Sequence, residues 1–485
     1  MAALQRAVVN FARQRHVTVS PPSHGGDPAN IGIPADSMSA LRISPVFCAL
    51  AAAAALLCSA PARADSAPVF VQSFTLVELT DMALSNNPQT RLAWAAIRES
   101  QAGVELARAG YWPQISASYT VQRSRSVNFS GQANSAQTRY QPGISLSYLL
   151  WDFGSRSGSL DAAKYTLAAA RLSNSQTLQD VILQVEQDYY QVLGLQALAQ
   201  ADAVSVEDAE TSLDAARQNQ KAGLATIGDV YQAEAALAGA QLALQQTQGA
   251  LAVAHGTLAV AVGLPADTRL ALAPWNQQVT AAMPKQTVQA LLHEAQQARP
   301  EILASKAREQ QAIANLEATR GRGLPSLALN ASAGRTRTVS GGGSASTSNY
   351  NAGLTLSIPL FAGFGDQAAN RQAQAAIDIS RATTAELLQQ VELEVWQAYQ
   401  NLHTAAVTLT TTNVQLKSAQ QAAEVSSARY HSGLDTILNL LTAQATLANA
   451  RVQQVQARLN WFTALTALGH AVGGLNAPSE EAGLP

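Results

Sequence analysis

The side chains in this 485-residue sequence that could do covalent, acid–base or metal chemistry fail the spacing test for each kind of site. Five histidines lie downstream of residue 64: His255, His293, His403, His431 and His470. None has a histidine four residues away, the separation that sets two imidazoles on one helical face around zinc. His293-Glu294 begins like a zinc-protease helix, but Gln297 stands where the second histidine must be. Gly363-Phe364-Gly365 lacks the third glycine of a dinucleotide-binding loop. Neither a nucleophile elbow nor a Walker phosphate loop occurs. The expectation is a protein that is not an enzyme, with no catalytic residue, cofactor or metal.

The two cysteines, Cys48 and Cys58, belong to an apparent export leader. From Met38 the chain has a positive start at Arg42, an apolar stretch within Ile43 to Leu57, and the small-residue cleavage signature Ala62-Arg63-Ala64. Residues 38–64 are therefore expected to be a signal peptide cut after Ala64. Residues 1–37 read as an extension outside the true product. Without the leader the chain has no thiol, which excludes disulfides and thiolate-metal sites. Leu57 departs from the small residue expected before a lipidated cysteine, so the reading favours an unlipidated product. Removing residues 1–64 takes away five of 31 Lys/Arg and two of 33 Asp/Glu, leaving a formal charge of about −5. That balance gives no electrostatic footprint for nucleic acid.

Hydrophobic residues make up 47% of the chain, yet aromatics only 5% and charged residues only 13%. Such Ala- and Leu-rich, weakly charged sequence suits long helices covered by neighbours. The sequence also repeats. Lys221-Ala222-Gly223-Leu224-Ala225-Thr226 matches His431-Ser432-Gly433-Leu434-Asp435-Thr436 at an offset of 210 residues. The same offset carries Leu178, Val181, Val185, Tyr189 and Val192 onto Leu388, Val391, Val395, Tyr399 and Leu402. Two copies are expected, 65–275 and 276–475, followed by a tail, 476–485.

Each copy opens with helical sequence, expected around Thr75–Asn86 and Gln89–Gly110, and around Val288–Gly321. Alternating strands of about ten residues follow, beginning near Ile115, Ile144, Leu327 and Tyr350. Ser340 to Asn349, with three successive glycines, reads as an exposed loop. Residues 143–264 and 360–477 then contain no proline. A helix from about Ser155 to Gln220 would be roughly 100 Å long and would need lateral partners of similar length. Glycine at Gly223 ends it, since glycine tolerates positive φ.

Four strands cannot close a barrel, and lipid tolerates no open edge. If these strands cross a membrane, several chains must pool them, and three copies would supply twelve. Tyr111, Trp112, Tyr140, Trp151, Tyr350 and Phe361 are expected at strand ends as an aromatic girdle. Asn86-Asn87-Pro88 and Arg299-Pro300 stand before helices. Tyr111-Trp112-Pro113-Gln114-Ile115 and Leu324-Pro325 precede strands, and Trp151-Asp152-Phe153-Gly154 and Phe361-Ala362-Gly363 follow them. In this order, and duplicated, these motifs resemble those of TolC-like outer-membrane factors over about residues 74–475. The resemblance implies a mixed α and β membrane protein. It would be a homotrimer, with a twelve-stranded transmembrane β-barrel continued by a periplasmic α-barrel of long antiparallel helices. It implies an exit duct in the outer membrane of a Gram-negative bacterium, working with a periplasmic adaptor and an inner-membrane ABC or proton-driven pump. Cargo would be secreted protein or small molecules. The other reading is a periplasmic coiled-coil scaffold without a pore.

The resemblance also assigns roles. Read from the residues alone, Lys221–Thr226 and His431–Thr436 are ordinary helix-hairpin turns capped by glycine; the resemblance implies instead that they are adaptor-contact turns. Asn439 and Thr442 fall where the family narrows its pore with carboxylates, so here a polar ring replaces an acidic one. Asp229 and Tyr430 would share a hydrogen bond that latches neighbouring helix pairs; the alternative is that both are helix-surface residues.

Overall fold

The computed structural model describes residues 73–125, 135–273 and 283–474. The expected leader with Ala64, both cysteines, the 1–37 extension and the 476–485 tail lie outside the described residues. From Phe74 onward the order is α1 (Leu76–Asn86), α2 (Pro88–Ala109), β1 (Gln114–Ser124), β2 (Gln137–Trp151), α3 (Ser155–Lys221) and α4 (Ile227–Ala261). It continues with α5 (Val288–Ala298), α6 (Pro300–Arg322), β3 (Ser326–Ser340), β4 (Gly343–Ser357), α7 (Gly365–His431) and α8 (Ile437–Val472). The same series of element types thus occurs twice.

Local chemistry sets the boundaries. Thr75 caps α1 in a capping box with Glu78, whose carboxylate accepts the Thr75 N–H at 2.9 Å. Pro88 opens α2, and Asn87 Oδ1 accepts the Gln89 N–H at 2.8 Å. The helical stretch expected over 288–321 is broken once, at Arg299 (φ −68°, ψ 124°). The ring of Pro300 excludes the residue before it from helical geometry. Helices α3 and α7 are each 67 residues long, about 100 Å at 1.5 Å per residue. Helix α3 is the spine: α1, α2, α4, α6 and α8 all pack on it. Burial falls into four separate clusters along this length. One joins Leu79 to Val185, Val192, Leu258 and Val262. Another joins Ile302 to Val391, Val395, Leu402, Trp461 and Phe462.

The strands form one antiparallel sheet in the order β1-β2-β3-β4. Here the loop expected over Ser340–Asn349 is corrected. Strands β3 and β4 each run 15 residues, and Ser344 to Asn349 pair with Val339 to Gly334. Only Gly341 and Gly342 remain between them. Small Ser, Thr and Ala side chains carry no bar to extended pairing once a partner strand supplies the ladder. Tyr350 consequently sits mid-strand rather than at an end. Pairing between β2 and β3 lapses beside Pro142, which has no N–H to donate, and resumes at Gly143 in the same register; the register shifts only between Leu149 and Trp151.

Candidate functional site

The two helix-hairpin turns are built alike. Gly223 (φ +76°) and Gly433 (φ +71°) take the left-handed conformation just past α3 and α7. The Leu224 N–H donates to the Asn219 carbonyl at 2.8 Å, and the Leu434 N–H to the Arg429 carbonyl at 2.9 Å, closing a Schellman motif at each turn. This geometry turns Leu224 (78% exposed) and Leu434 (71%) outward as apolar knobs at the end of the helix bundle. Lys221, Ala222, His431 and Ser432 are exposed around them, while Ala225 and Asp435 are half-buried. Beneath the turns, Leu213, Ala216, Val230, Ala233, Ile437 and Leu440 form one buried cluster that fixes both.

The expected Asp229–Tyr430 hydrogen bond is not formed within the chain. Asp229 Oδ2 accepts the Thr226 N–H at 2.7 Å and Thr226 Oγ1 accepts the Asp229 N–H at 3.3 Å, a capping box that starts α4. Tyr430 is 4% exposed, and its hydroxyl is covered by the chain and has no partner among the described residues. In the second turn the carboxylate has moved. Asp435 Oδ1 accepts from Asn439 Nδ2 at 2.6 Å and from the Thr436 N–H at 2.9 Å. These bonds, the Asn439 amide first, hold the Asp435 carboxyl below its ordinary range. Asn439 and Thr442 are both exposed. Asp229→Ala is expected to lower stability by about 0.5–1 kcal/mol through loss of the carboxylate half of the capping box, the bond from the backbone N–H of residue 229 to Thr226 Oγ1 being kept. Tyr430→Phe, which deletes a covered polar atom without a partner, should leave the melting temperature unchanged or raise it. Thermal melts by circular dichroism of both variants check this; a large loss in Tyr430→Phe would mean that the hydroxyl is bonded after all.

The sheet is two-faced over the part nearest the helices. One face carries Ile115, Leu146, Leu329, Leu354 and their neighbours. The other carries Ser116, Ser145, Ser332, Asn351 and Thr355, tied by side-chain hydrogen bonds such as Ser116–Ser145 at 2.8 Å. Both edges are open: every residue of β1 and of β4 is exposed. The helices repeat this arrangement. On α7, exposed Ile379, Leu393, Val407 and Val414 are spaced at multiples of seven, the spacing of a helix–helix seam. On α4, Tyr231, Leu242, Val253 and Val260 are likewise exposed.

Two features were not expected from the sequence. Arg156 joins strand to helix. It bonds Asp152 at 3.2 Å and the carbonyls of Gly110 (3.2 Å), Leu149 (2.6 Å) and Leu150 (3.2 Å), with its guanidinium 4.8 Å from the Tyr111 ring centre. The four-residue Asp152–Arg156 spacing was its signal. Glu186 is buried in the middle of α3, and burial pushes its carboxyl up to about 7. Among the described residues no group of three or more His, Cys, Asp or Glu could hold a metal ion.

The outer membrane efflux protein family matches residues 79–264 and again 291–474. The chain is 29% identical to Protein CyaE of Bordetella pertussis, over 84% of this chain and 85% of that one. It is 26% identical to the outer membrane efflux protein BepC of Brucella suis, over 84% and 86%. In structure it resembles the outer-membrane channel OprN, with a TM-score of 0.73 at 22% identity over 82% of this chain and 90% of that one.

Proposed function

Because the chain belongs to the outer membrane efflux protein family, we propose that three copies join head to tail into one continuous duct. The protein is an export channel of the outer membrane of Gram-negative bacteria; a scaffold without a pore is not favoured. The observation that carries the assembly is the match between its two open flanks. An exposed β1 and an apolar α4 lie on one side, and an exposed β4 and a seam-spaced α7 on the other. An interface between unlike flanks repeats around a ring until it closes. Closure at three copies makes a twelve-stranded barrel, within the range of outer-membrane barrels, and leaves no strand edge in lipid. The Ser, Thr and Asn face then lines a wet lumen and the apolar face meets lipid.

At the far end, the Leu224 and Leu434 turns dock a periplasmic adaptor, and Asn439 and Thr442 line a polar narrowing. An inner-membrane ABC or proton-driven pump supplies the energy and selects the cargo, secreted protein or small molecule. The channel itself does no catalysis.

Reconstitution in planar bilayers tests this reading, together with the mass of the detergent-purified protein. The expected result is a trimer with stable single-channel conductance. Val407→Asp with Val414→Asp, both exposed in the single chain, should leave the helices folded but abolish trimer and conductance. A monomer that conducts, or a trimer indifferent to these carboxylates, would overturn the assembly.

A further inference from the structure

The strands and their hairpins carry charge of one sign only. From Pro113 to Trp151 and from Pro325 to Phe361 there are five arginines (Arg123, Arg125, Arg139, Arg335 and Arg337) and no aspartate, glutamate or lysine. Elsewhere in the chain both signs are mixed. The register assigns these arginines to faces. Arg337 pairs with Tyr140, Tyr140 with Val121, and Arg123 with Thr138. With side chains alternating, Arg123, Arg335 and Arg337 share the apolar face with Ile115, Leu146 and Leu329. Arg139, opposite Gln122 and Thr338, lies alone on the polar face.

Position along the strands is as telling as the face. On β3 the apolar face reads Leu327, Leu329, Ala331, Ala333 and then Arg335, Arg337. From Leu327 to the arginines is eight to ten residues, about 27–34 Å along the strand and roughly 20–25 Å across a membrane once the strand is tilted. That is the height of the apolar band of an outer-membrane barrel. Tyr119, Tyr140 and Tyr350 lie at or just below the arginine level on the same face, where aromatic rings mark a headgroup boundary. The arginines are therefore at the hairpin end, opposite the helices, on the surface that meets lipid. Arg123, Arg335 and Arg337 are exposed and make no ion pair among the described residues. Arg335 and Arg337, two residues apart on one face, are about 7 Å apart, close enough to hold one phosphate between two guanidiniums.

We propose that Arg123, Arg335 and Arg337 form a phosphate-binding band on the outside of the barrel, which seats the protein on the phosphorylated glycolipid headgroups of the outer leaflet. The proposal rests on the channel reading for the direction of the strands. A pore-selectivity role would have put the arginines on the polar face, which holds only Arg139 within the strands.

The test uses the full-length protein in an uncharged detergent, mixed with phosphatidylcholine vesicles containing diphosphorylated lipid A. A parallel sample contains the same lipid A stripped of phosphate, and native mass spectrometry counts the retained glycolipid. The wild type should retain the phosphorylated form, and R123Q/R335Q/R337Q should retain it about tenfold less or weaker still. The stripped lipid should be held weakly by both. Arg139→Gln should retain lipid like the wild type. Equal retention by the triple variant, or equal retention of stripped lipid, overturns the proposal. Equally tight binding of inorganic phosphate alone would assign the site to a free anion and overturn the lipid source. Bilayer conductance separates the two readings. A wild type that does not conduct sinks the channel reading, whereas normal conductance in all variants with unchanged retention sinks only the lipid band.

Discussion

Gly158→Ala is expected to destabilise the protein by about 2–3 kcal/mol, and Gly158→Leu to prevent assembly. A Cβ on Gly158 would lie 2.5 Å from the Ala318 nitrogen and 2.9 Å from both the Ala318 Cα and the Ala314 carbonyl oxygen. The partner glycine is equally tight: a Cβ on Gly321 would lie 2.5 Å from the Ser155 nitrogen and 2.8 Å from its Cα. The obstacles are backbone atoms, so no rotamer change relieves them, and α3 must move off α6. That crossing lies just below the sheet, beside Arg156, so a shift there tilts the strands against the helices. Gly103→Ala in α2 is the control. Its Cβ meets nothing within 4 Å, and alanine should be neutral or stabilising by up to about 1 kcal/mol there. Heat-induced unfolding followed by circular dichroism separates the two. Melting of Gly158→Ala at the wild-type temperature would show that the helices do not cross this closely.

What could be read from the chain alone was whatever repeats or alternates. The absence of proline over 143–264 allowed a helix as long as α3, and Gly223 marked its end: about Ser155 to Gln220 was expected and Ser155–Lys221 is observed. Gly223 and Gly433 marked the turns because positive φ favours glycine. The hairpin of β3 and β4 was misread because three glycines outweighed the partner strand, which no local pattern reveals. Thr226-Ile227-Gly228-Asp229 is itself a capping-box pattern, so the bond of Asp229 to its own turn is legible locally, whereas a bond to Tyr430 was implied by the family resemblance alone. Gly158 and Glu186 belong to another category. Each owes its role to one partner or one neighbouring surface, and a single sequence records only half of such a pair.

Glu186→Gln is expected to flatten the dependence of stability on pH between about 5 and 7.5 and to stabilise the protein most on the alkaline side. Glu186 is 4% exposed, one residue from Val185 and three from Tyr189 on the buried side of α3. Burial raises its carboxyl from 4.5 to about 7, and burial together with the Glu186 charge pushes the Tyr190 hydroxyl up as well. Because the folded value is the higher one, the folded chain binds a proton between about 4.5 and 7 that the unfolded chain has released. Stability therefore rises as pH falls through this window. The full cost of the buried charge, of order 3 kcal/mol per chain, is present above about pH 7 and gone below about 4.5. Asp188, also raised by burial, adds a slope of the same sign that the variant retains, so the informative quantity is the difference between wild type and Glu186→Gln. Melting temperatures of the two should converge below about pH 4.5 and separate by several degrees at pH 8. Parallel curves across that range would mean that Glu186 is solvated or paired in the assembled channel, and that α3 carries no buried charge at its centre.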